Sequence, residues 1–312
     1  MSQCATSDFT VVLASCGLAH NDEDDLYLRD ALEQVGVPAK IVLWDESEYD
    51  WCEPSLVLVR STWDYVKDYS RFFSWASSIN QKTLLMNPLS VLQWSSNKRY
   101  LLDIERVGGQ IIPTIWLSQH QRDEAATIIQ SALRKWGSII MKPCVGAGSV
   151  GFSRINSLDE GLAHLHALVP SGEVMVQPFI RSFQEEGEYS LIFMGGVFSH
   201  AVRKFTRDLP VQKVPTPDGT RVEIADVVPK EAHNLAAYIL EAMRWNHIFA
   251  RIDVVFYQGQ VCVNEIELIE PRLFLTMKPH SALVAARTIR DYLMYTQEGR
   301  RFSTASARYV LR

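Results

Sequence analysis

A glycine-rich loop that follows a buried strand is the feature that most constrains how this chain folds. The loop reads Gly146-Ala-Gly148-Ser149-Val-Gly151 and comes soon after the apolar run Ser138-Ile-Ile-Met-Lys142-Pro143. Its glycines match the G-x-G-x-x-G pattern of dinucleotide-binding folds, in which a helix begins at the glycines. Here the following residues alternate like a strand, and a helix begins only at the capping box over 157–160. The pattern therefore predicts two strands joined by a flexible lid.

The backbone N–H groups of such a lid are suited to fold over phosphate groups. Lys142, just before the loop, places a positive charge where phosphate would lie. Protein kinases also use a glycine-rich lid, but this chain has neither an H-R-D nor a D-F-G motif, and its lysine precedes the loop. A glycine-rich hairpin that binds no ligand is the alternative interpretation.

Acidic side chains define a second predicted hairpin. Its strands cover 251–256 and 263–268, and Glu265 and Glu267 share one face of the returning strand. Two neighbouring carboxylates repel unless a cation lies between them, and Mg²⁺ prefers oxygen ligands of this kind. Asp253 joins the same face only if the register is odd, because a strict two-residue turn sets it opposite Asn264. A solvated acidic strand face is the alternative.

Hydrophobic patterns divide the chain into three lobes of α/β and α+β character. The first, over 1–94, has buried strands at 9–16, 39–44, 55–61 and 83–86 that alternate with helices at 23–36 and 68–80, and acids at 22–25 begin the first helix. This alternation predicts a parallel α/β lobe. The second, over 95–185, has helices at 95–107 and 122–136 and strands at 111–117 and 138–142. The third, over 186–312, has strands at 188–194, 197–204, 249–257 and 260–269 and helices near 229–245 and 280–296.

Composition narrows the classes of function. The net charge of −5 shows no basic surplus of the kind that nucleic-acid-binding proteins carry. The sequence has no apolar run long enough to span a membrane, and its first residues lack the pattern of a signal peptide. The five cysteines are far apart and include no Cys-x-x-Cys pair. We therefore expect a cytoplasmic protein that acts on a small molecule. The sequence does not fix the oligomeric state, and a homodimer is one option.

Taken in order, the motifs resemble the ATP-grasp superfamily over about residues 95–295, and the first lobe fits its pre-ATP domain. The resemblance rests on Asn97-Lys98, Lys142-Pro143, the segment Glu173-Val-Met-Val-Gln177-Pro178-Phe179-Ile180, Gly187-Glu188, Arg251-x-Asp253 and Glu265-x-Glu267. It implies an ATP-grasp fold, ATP as cosubstrate and Mg²⁺, expected as two ions. Many members have Asn where this chain has Glu267, which makes the expected metal site more negative.

The resemblance also implies a role for each matching residue. It places ATP at Lys98, Lys142, Gly146, Gly148, Ser149, Gly151, Gln177, Pro178, Phe179, Ile180, Glu185 and Glu188. It assigns the metal to Asp253, Glu265 and Glu267 and catalysis to Arg251 and Lys204. Arg251 is expected to stabilise an oxyanion, and Lys204 to reach the γ-phosphate or to remain solvated.

Three longer strings are similar to a narrower subgroup, that of the cyclo-ligase that closes the cycloserine ring, to which we also expect the tabtoxin β-lactam-forming ligase to be related. They begin at Arg60, Phe198 and Glu265. Arg60 ends a predicted strand at the carboxyl edge of the first lobe, where ligand sites of α/β folds lie. We therefore expect an amino-acid-like substrate to bind at Arg60, Ser61, Trp63 and Arg272. Structural ion pairs, Arg60 with Asp64 and a salt bridge of Arg272, are the alternatives.

The implied function is an ADP-forming carbon–nitrogen ligase that activates a carboxylate as an acyl phosphate. Ring closure within one substrate is favoured, because a nitrogen held in the same molecule has a high effective molarity. An intermolecular amino-acid or dipeptide ligase, a kinase and a non-catalytic ATP-binding regulator are the alternatives.

Overall fold

The N-terminal lobe is built on a four-stranded parallel sheet. A computed structural model describes residues 9–19, 22–118, 121, 123–148, 150–168, 172–206 and 220–297. Strands β1 (Val11–Ser15), β2 (Ala39–Leu43), β3 (Leu56–Val59) and β4 (Leu84–Met86) pair in the order β2-β1-β3-β4. Strands β1 and β3 are fully buried runs, as parallel sheets covered on both faces require. The predicted strands and parallel pairing of this lobe are confirmed.

Helices cover this sheet and lead out of the lobe. They are α1 (Glu23–Gln34), α2 (Tyr69–Lys82) and α3 (Leu89–Ser95). The single helix predicted over 95–107 is wrong, because the chain leaves the helix after α3 and begins α4 (Tyr100–Arg106) only four residues later. The backbone N–H of Lys98 donates to the Cys144 carbonyl at 2.8 Å, so this break ties the chain to the glycine-rich loop.

The central lobe is a four-stranded antiparallel sheet with two helices. Its strands β5 (Ile115–Leu117), β6 (Ile139–Pro143), β7 (Ser153–Ile155) and β8 (Val174–Pro178) pair in the order β5-β8-β6-β7. Helices α5 (Ala125–Trp136) and α6 (Leu158–Leu168) pack their apolar faces on it. The glycine-rich loop joins β6 to the antiparallel β7, as predicted.

The C-terminal lobe is a five-stranded antiparallel sheet. Strands β9 (Glu188–Met194), β10 (Val197–Thr206), β11 (Thr220–Ile224), β12 (Phe249–Tyr257) and β13 (Gln260–Glu267) pair in the order β11-β10-β9-β12-β13. The lobe includes the short α7 (Ser182–Glu185), α8 (Lys230–Met243) and the long α9 (His280–Gln297). None of the helices in the described ranges is both long and apolar enough to cross a membrane.

Buried polar side chains join the first lobe to the third. Asp24, at the start of α1, accepts hydrogen bonds from the backbone N–H groups of Leu273, Phe274 and Leu275 at 2.9, 2.7 and 2.7 Å. Helices α1 and α9 share one apolar core. The acidic run over 22–25 therefore begins α1 and, through Asp24, also binds the third lobe. The first and third lobes share this core, and the domain boundaries stay a prediction.

Asn87 makes a second polar junction between these lobes. Its amide nitrogen donates to the carbonyls of Phe249 and Leu268 at 2.9 and 2.7 Å, and its amide oxygen accepts from the Ile248 N–H at 2.8 Å. Asn87 is almost fully buried. Each of these backbone groups would be left without its partner if the side chain were shortened.

We therefore expect Asn87→Ala to lower the free energy of unfolding by about 2–4 kcal/mol, since it leaves several buried polar groups unpaired. Urea denaturation followed by circular dichroism measures this. Asn80→Ala, on the exposed face of α2, is the matched control and should change stability by less than about 0.5 kcal/mol. Equal effects of the two substitutions would contradict the assigned role.

Candidate active site

The acids of the C-terminal hairpin meet on one face because the hairpin contains a β-bulge. Asp253 pairs with Glu265 and Arg251 with Glu267, whereas the next pair is Val254 with Val263. Asn264 is thus the extra residue of the bulge. The bulge shifts the register by one residue and brings Asp253 onto the face of Glu265. The sequence left this register open.

Two basic side chains hold the Asp253 carboxylate. Arg251 donates from Nε to Oδ1 and from Nη2 to Oδ2, both at 2.9 Å, and Lys204 Nζ lies 2.8 Å from Oδ2. Burial alone would raise the pKa of Asp253, but Arg251 and Lys204 outweigh it and hold this pKa well below its usual range. Asp253 therefore stays ionised, and both of its carboxylate oxygens accept hydrogen bonds from basic side chains.

Glu188 extends this network away from the hairpin. Its Oε2 lies 2.7 Å from Lys204 Nζ, and its Oε1 accepts a hydrogen bond from the bulged Asn264 at 2.5 Å. Burial raises the pKa of Glu188 although Lys204 opposes it. Lys204 thus bridges two acids.

Glu265 and Glu267 are more accessible than Asp253. Their side chains are 26% and 28% exposed, against 2% for Asp253. Glu265 forms an ion pair with Lys98 at 3.0 Å, and Glu267 contacts Arg251. Burial raises the pKa of Glu267 to about 7. Burial acts in the same direction on Glu265, but Lys98 and Lys142 prevail and lower its pKa.

These acids fit Mg²⁺ only in part. Among the described residues, no three His, Cys, Asp or Glu side chains converge closely enough to hold a metal ion. Glu265 and Glu267 supply hard oxygen donors on one partly exposed face, as Mg²⁺ requires. Asp253 already accepts three hydrogen bonds from Arg251 and Lys204, and its role as a ligand stays a prediction.

Two lysines of the central lobe face these acids. Lys98 donates to the Gly146 carbonyl at 2.7 Å as well as pairing with Glu265. Burial alone would lower the pKa of Lys98, but Glu265 raises it. Lys142 has no ion pair within the described ranges, and burial lowers its pKa. Lys142 is half-buried and has no carboxylate partner of its own among the described residues, whereas Lys98 is already paired with Glu265. Lys142 is therefore the better suited of the two to bind phosphate.

The lid depends on glycine at specific positions. Gly148 and Gly151 adopt positive φ of +60° and +75°. A Cβ at Gly151 would lie 2.8 Å from a Leu168 methyl carbon, so a larger residue does not fit. Gly146 offers its carbonyl to Lys98. Ser149, also predicted to bind ATP, lies outside the described residues.

The predicted adenine segment connects the central and C-terminal lobes. Gln177 and Pro178 end β8, and the buried Gln177 amide donates to the Thr114 hydroxyl at 2.9 Å. The Phe179 N–H is bound to the Ser138 carbonyl at 2.9 Å, and Ile180 is buried in a small apolar cluster. Glu185 is exposed on α7 and is not brought to the acidic hairpin, whereas Glu188 is.

The predicted substrate residues separate into two groups. Arg60 is only 1% exposed, with Nε 3.2 Å from Asp25 and Nη1 donating to the Pro271 carbonyl at 3.0 Å. The alternative partner, Asp64, is wrong: its carboxylate accepts from the Trp44 indole at 2.9 Å. The structure thus places Arg60 in an interlobe ion pair and not on an open surface.

Ser61 is buried beside Arg60, and its carbonyl accepts from the Cys16 N–H at 3.1 Å. Trp63 and Arg272 form the second group and remain accessible. The Arg272 guanidinium lies 5.2 Å from the centre of the Trp63 ring and 3.5 Å from Asp22. These two residues, from the first and third lobes, are the better placed to meet a substrate.

Four residues of the candidate active site and the loop beside it were not predicted from the sequence: Asp24, Asp25, Asn264 and Glu270. The bulge at Asn264 depends on cross-strand pairing. The three-residue spacing from Glu267 to Glu270 was the available signal for a further acid.

Comparisons with known proteins find a family, a relative and solved structures that are similar to this chain. Residues 11–87 match the family described as "D-cycloserine synthetase DcsG, N-terminal domain". Over 285 residues the chain is 30% identical to the cycloserine biosynthesis protein DcsG of Streptomyces lavendulae, covering 87% of this chain and 94% of that protein. The crystal structure of D-cycloserine synthetase DcsG matches with a TM-score of 0.84 at 26% identity, over 91% of this chain and 99% of that one.

A more distant structure, the D-alanine–D-alanine ligase of Bacillus anthracis, matches with a TM-score of 0.64 over 93% of this chain and 98% of that one. Its identity is 13%, so it shows a shared fold alone.

The ion pair between Lys98 and Glu265 makes a prediction about metal binding. Without nucleotide, Lys98 competes with a divalent cation for the carboxylate. We expect Lys98→Met to tighten Mn²⁺ binding about tenfold or more, since it removes a nearby positive charge. The electron paramagnetic resonance signal of free Mn²⁺ measures this. Lys82→Met, on the exposed end of α2, is the control, and unchanged affinity in both variants would contradict the competition.

Proposed function

Because this chain belongs to the ATP-grasp family of the cycloserine biosynthesis protein DcsG, we propose that it closes a ring within one amino-acid-derived substrate by forming a carbon–nitrogen bond. Membership makes the chain an ATP-dependent ligase of amino-acid-derived metabolism. The name of the relative supports ring closure, because cycloserine is a cyclic product. The likeness covers nearly the whole relative, so it includes the N-terminal lobe as well as the ATP-grasp lobes.

The observation that carries the proposal is the meeting of two central-lobe lysines with the acidic face of the C-terminal hairpin. Lys98 reaches Glu265 across the junction of the two lobes, and Lys142 lies near the same acid without an ion pair of its own. We propose that these lysines bind the ATP phosphates, with adenine against the segment 177–180. The hydrogen bond from Lys98 to the Gly146 carbonyl supports placing the lid over the same phosphates.

In the proposed reaction, the substrate carboxylate attacks the γ-phosphorus in line, which gives ADP and an acyl phosphate. Bound Mg²⁺, held by Glu265 and Glu267, would neutralise charge on the phosphates. Lys204, held between Glu188 and Asp253, contributes a fixed positive charge beside them. The lid excludes water, which would otherwise hydrolyse the acyl phosphate.

The second step joins nitrogen to the acyl carbon and releases phosphate. We propose that Arg251 stabilises the oxyanion of the tetrahedral intermediate. Asp253 orients its guanidinium through two parallel hydrogen bonds. Its Nη2 now contacts Glu267, so Glu267 must turn away for this N–H to become available. Trp63 and Arg272 are the proposed wall of the substrate pocket.

The product distinguishes ring closure from intermolecular ligation. The probe is β-aminooxyalanine, the amino acid that results when water opens the amide bond of the cycloserine ring, tested as both enantiomers. We expect ATP-dependent formation of a product that equals one substrate minus one water, together with ADP and phosphate. Mass spectrometry that finds two substrates minus one water would reject ring closure, and AMP with pyrophosphate would reject the acyl phosphate. A phosphorylated substrate as the final product would indicate a kinase.

The role of Lys142 can be tested without any second substrate. We expect Lys142→Ala to weaken ATP binding about tenfold or more, because it removes one charged hydrogen-bond donor to phosphate. Isothermal titration calorimetry measures the affinity. Lys135→Ala, on the exposed face of α5, is the control and should bind ATP like the unsubstituted protein. Unchanged affinity in Lys142→Ala would support the interpretation of the loop as a hairpin that binds no ligand.

A further inference from the structure

A third glutamate follows the acidic hairpin at the junction of the first and third lobes. Glu270 comes three residues after Glu267, beyond the end of β13, and is half-buried. Its neighbour Ile269 is buried in the core of the N-terminal lobe, together with Val57 and Tyr65. The chain therefore enters the first lobe at this point, and Glu270 lies where that lobe meets the hairpin.

Groups of the N-terminal lobe fix the backbone directly after Glu270. Arg60 binds the Pro271 carbonyl at 3.0 Å and is itself held by Asp25 at 3.2 Å. Asp24 accepts from the next N–H groups, beginning with that of Leu273 at 2.9 Å. These contacts are buried. A loop held in this way presents its side chains in a fixed position, as a reacting group requires.

Glu270 differs from the other acids of the cluster in its partners. Asp253, Glu265 and Glu267 each have a basic side chain within ion-pair distance. Across the described ranges Glu270 has no such ion pair. The charged groups that act on it are Glu267, Lys98 and Glu265, and Glu270 in turn raises the pKa of the buried Tyr65 in the N-terminal lobe. Burial, followed by Glu267, raises the pKa of Glu270 well above its usual range.

We infer that Glu270 is a catalytic residue of the ring-closing step: its carboxylate accepts a hydrogen bond from the attacking nitrogen and takes its proton. This inference rests on the proposed function. The nitrogen lone pair forms the bond to the acyl carbon, and the bond between that carbon and the phosphate oxygen breaks. The electron pair leaves with phosphate. The proton goes from nitrogen to Glu270 and from there to solvent when the product leaves.

The positions of the other acids favour Glu270 for this role. Glu265 and Glu267 are paired with Lys98 and Arg251, the basic residues that we assign to phosphate and to the oxyanion, so each already has a basic partner. Glu270 lies on the side of the N-terminal lobe, where Trp63 and Arg272 are accessible to a substrate.

Two reactions separate the two chemical steps. Cyclisation of β-aminooxyalanine needs both steps. O-Methylserine has the same length but no attacking nitrogen, so it allows only acyl phosphate formation, and added hydroxylamine converts that acyl phosphate into a hydroxamate without help from the protein. We expect Glu270→Gln to reduce the cyclisation rate by about 100-fold or more while hydroxamate formation stays within about threefold of the unsubstituted enzyme.

Hydroxamate formation by Glu270→Gln also shows that the variant is folded and binds ATP. Glu270→Asp should recover part of the cyclisation rate, and Glu33→Gln, exposed on α1, should leave both rates unchanged. Normal cyclisation by Glu270→Gln would overturn the inference, and so would an equal loss of both reactions, because it would place Glu270 in the first step. If the unsubstituted enzyme neither cyclises β-aminooxyalanine nor forms the hydroxamate, the proposed function itself is wrong, whatever the Glu270 variants do.

Discussion

Charge balance on the C-terminal hairpin is the constraint on which the rest of the site depends. Asp253, Glu265 and Glu267 lie side by side on neighbouring strands, where unpaired carboxylates would repel one another strongly. The chain compensates with Lys98 from the central lobe and with Lys204 and Arg251 from the C-terminal sheet. An ion pair that joins two lobes also helps to define how those lobes meet. Nucleotide and metal that enter this cleft must exchange these ion pairs for new ones.

Contacts from the first lobe also fix the loop that follows the acidic hairpin. The buried acids of the first lobe hold the loop after β13, and that loop carries Glu270 and Arg272 towards the cleft. The carbonyl of Arg272 in turn accepts from Arg251 at 3.4 Å. Asp24 and Arg60 therefore influence the reacting groups through the backbone, without contact with a substrate. Burying these charges would be unfavourable unless each had partners of this quality.

Local patterns predicted much of this architecture. The alternation after the glycines predicted strands on both sides of the lid. The position of Lys142 directly before the loop was the reason to predict that it binds phosphate. The face of Asp253 could not be predicted, because it depends on a bulge at Asn264 that exists only when two strands pair. The break before Lys98 and the partner of Arg60 are also tertiary features. Asp25 lies 35 residues from Arg60, and no local pattern connects them.

The ring closure that we propose places different demands on the two ends of the cleft. Phosphate transfer needs positive charge and the exclusion of water. We assign the first to the lysines and the second to the lid. Attack by a neutral nitrogen releases a proton, so an acceptor for that proton is needed. A positively charged residue in this place would bind phosphate and would not accept the proton. Among the charged groups that act on Glu270, another acid, Glu267, has the largest effect, and it raises the pKa of Glu270. Glu270 forms no ion pair within the described ranges, whereas the other acids of this cleft do, and this difference is why we propose it as the proton acceptor.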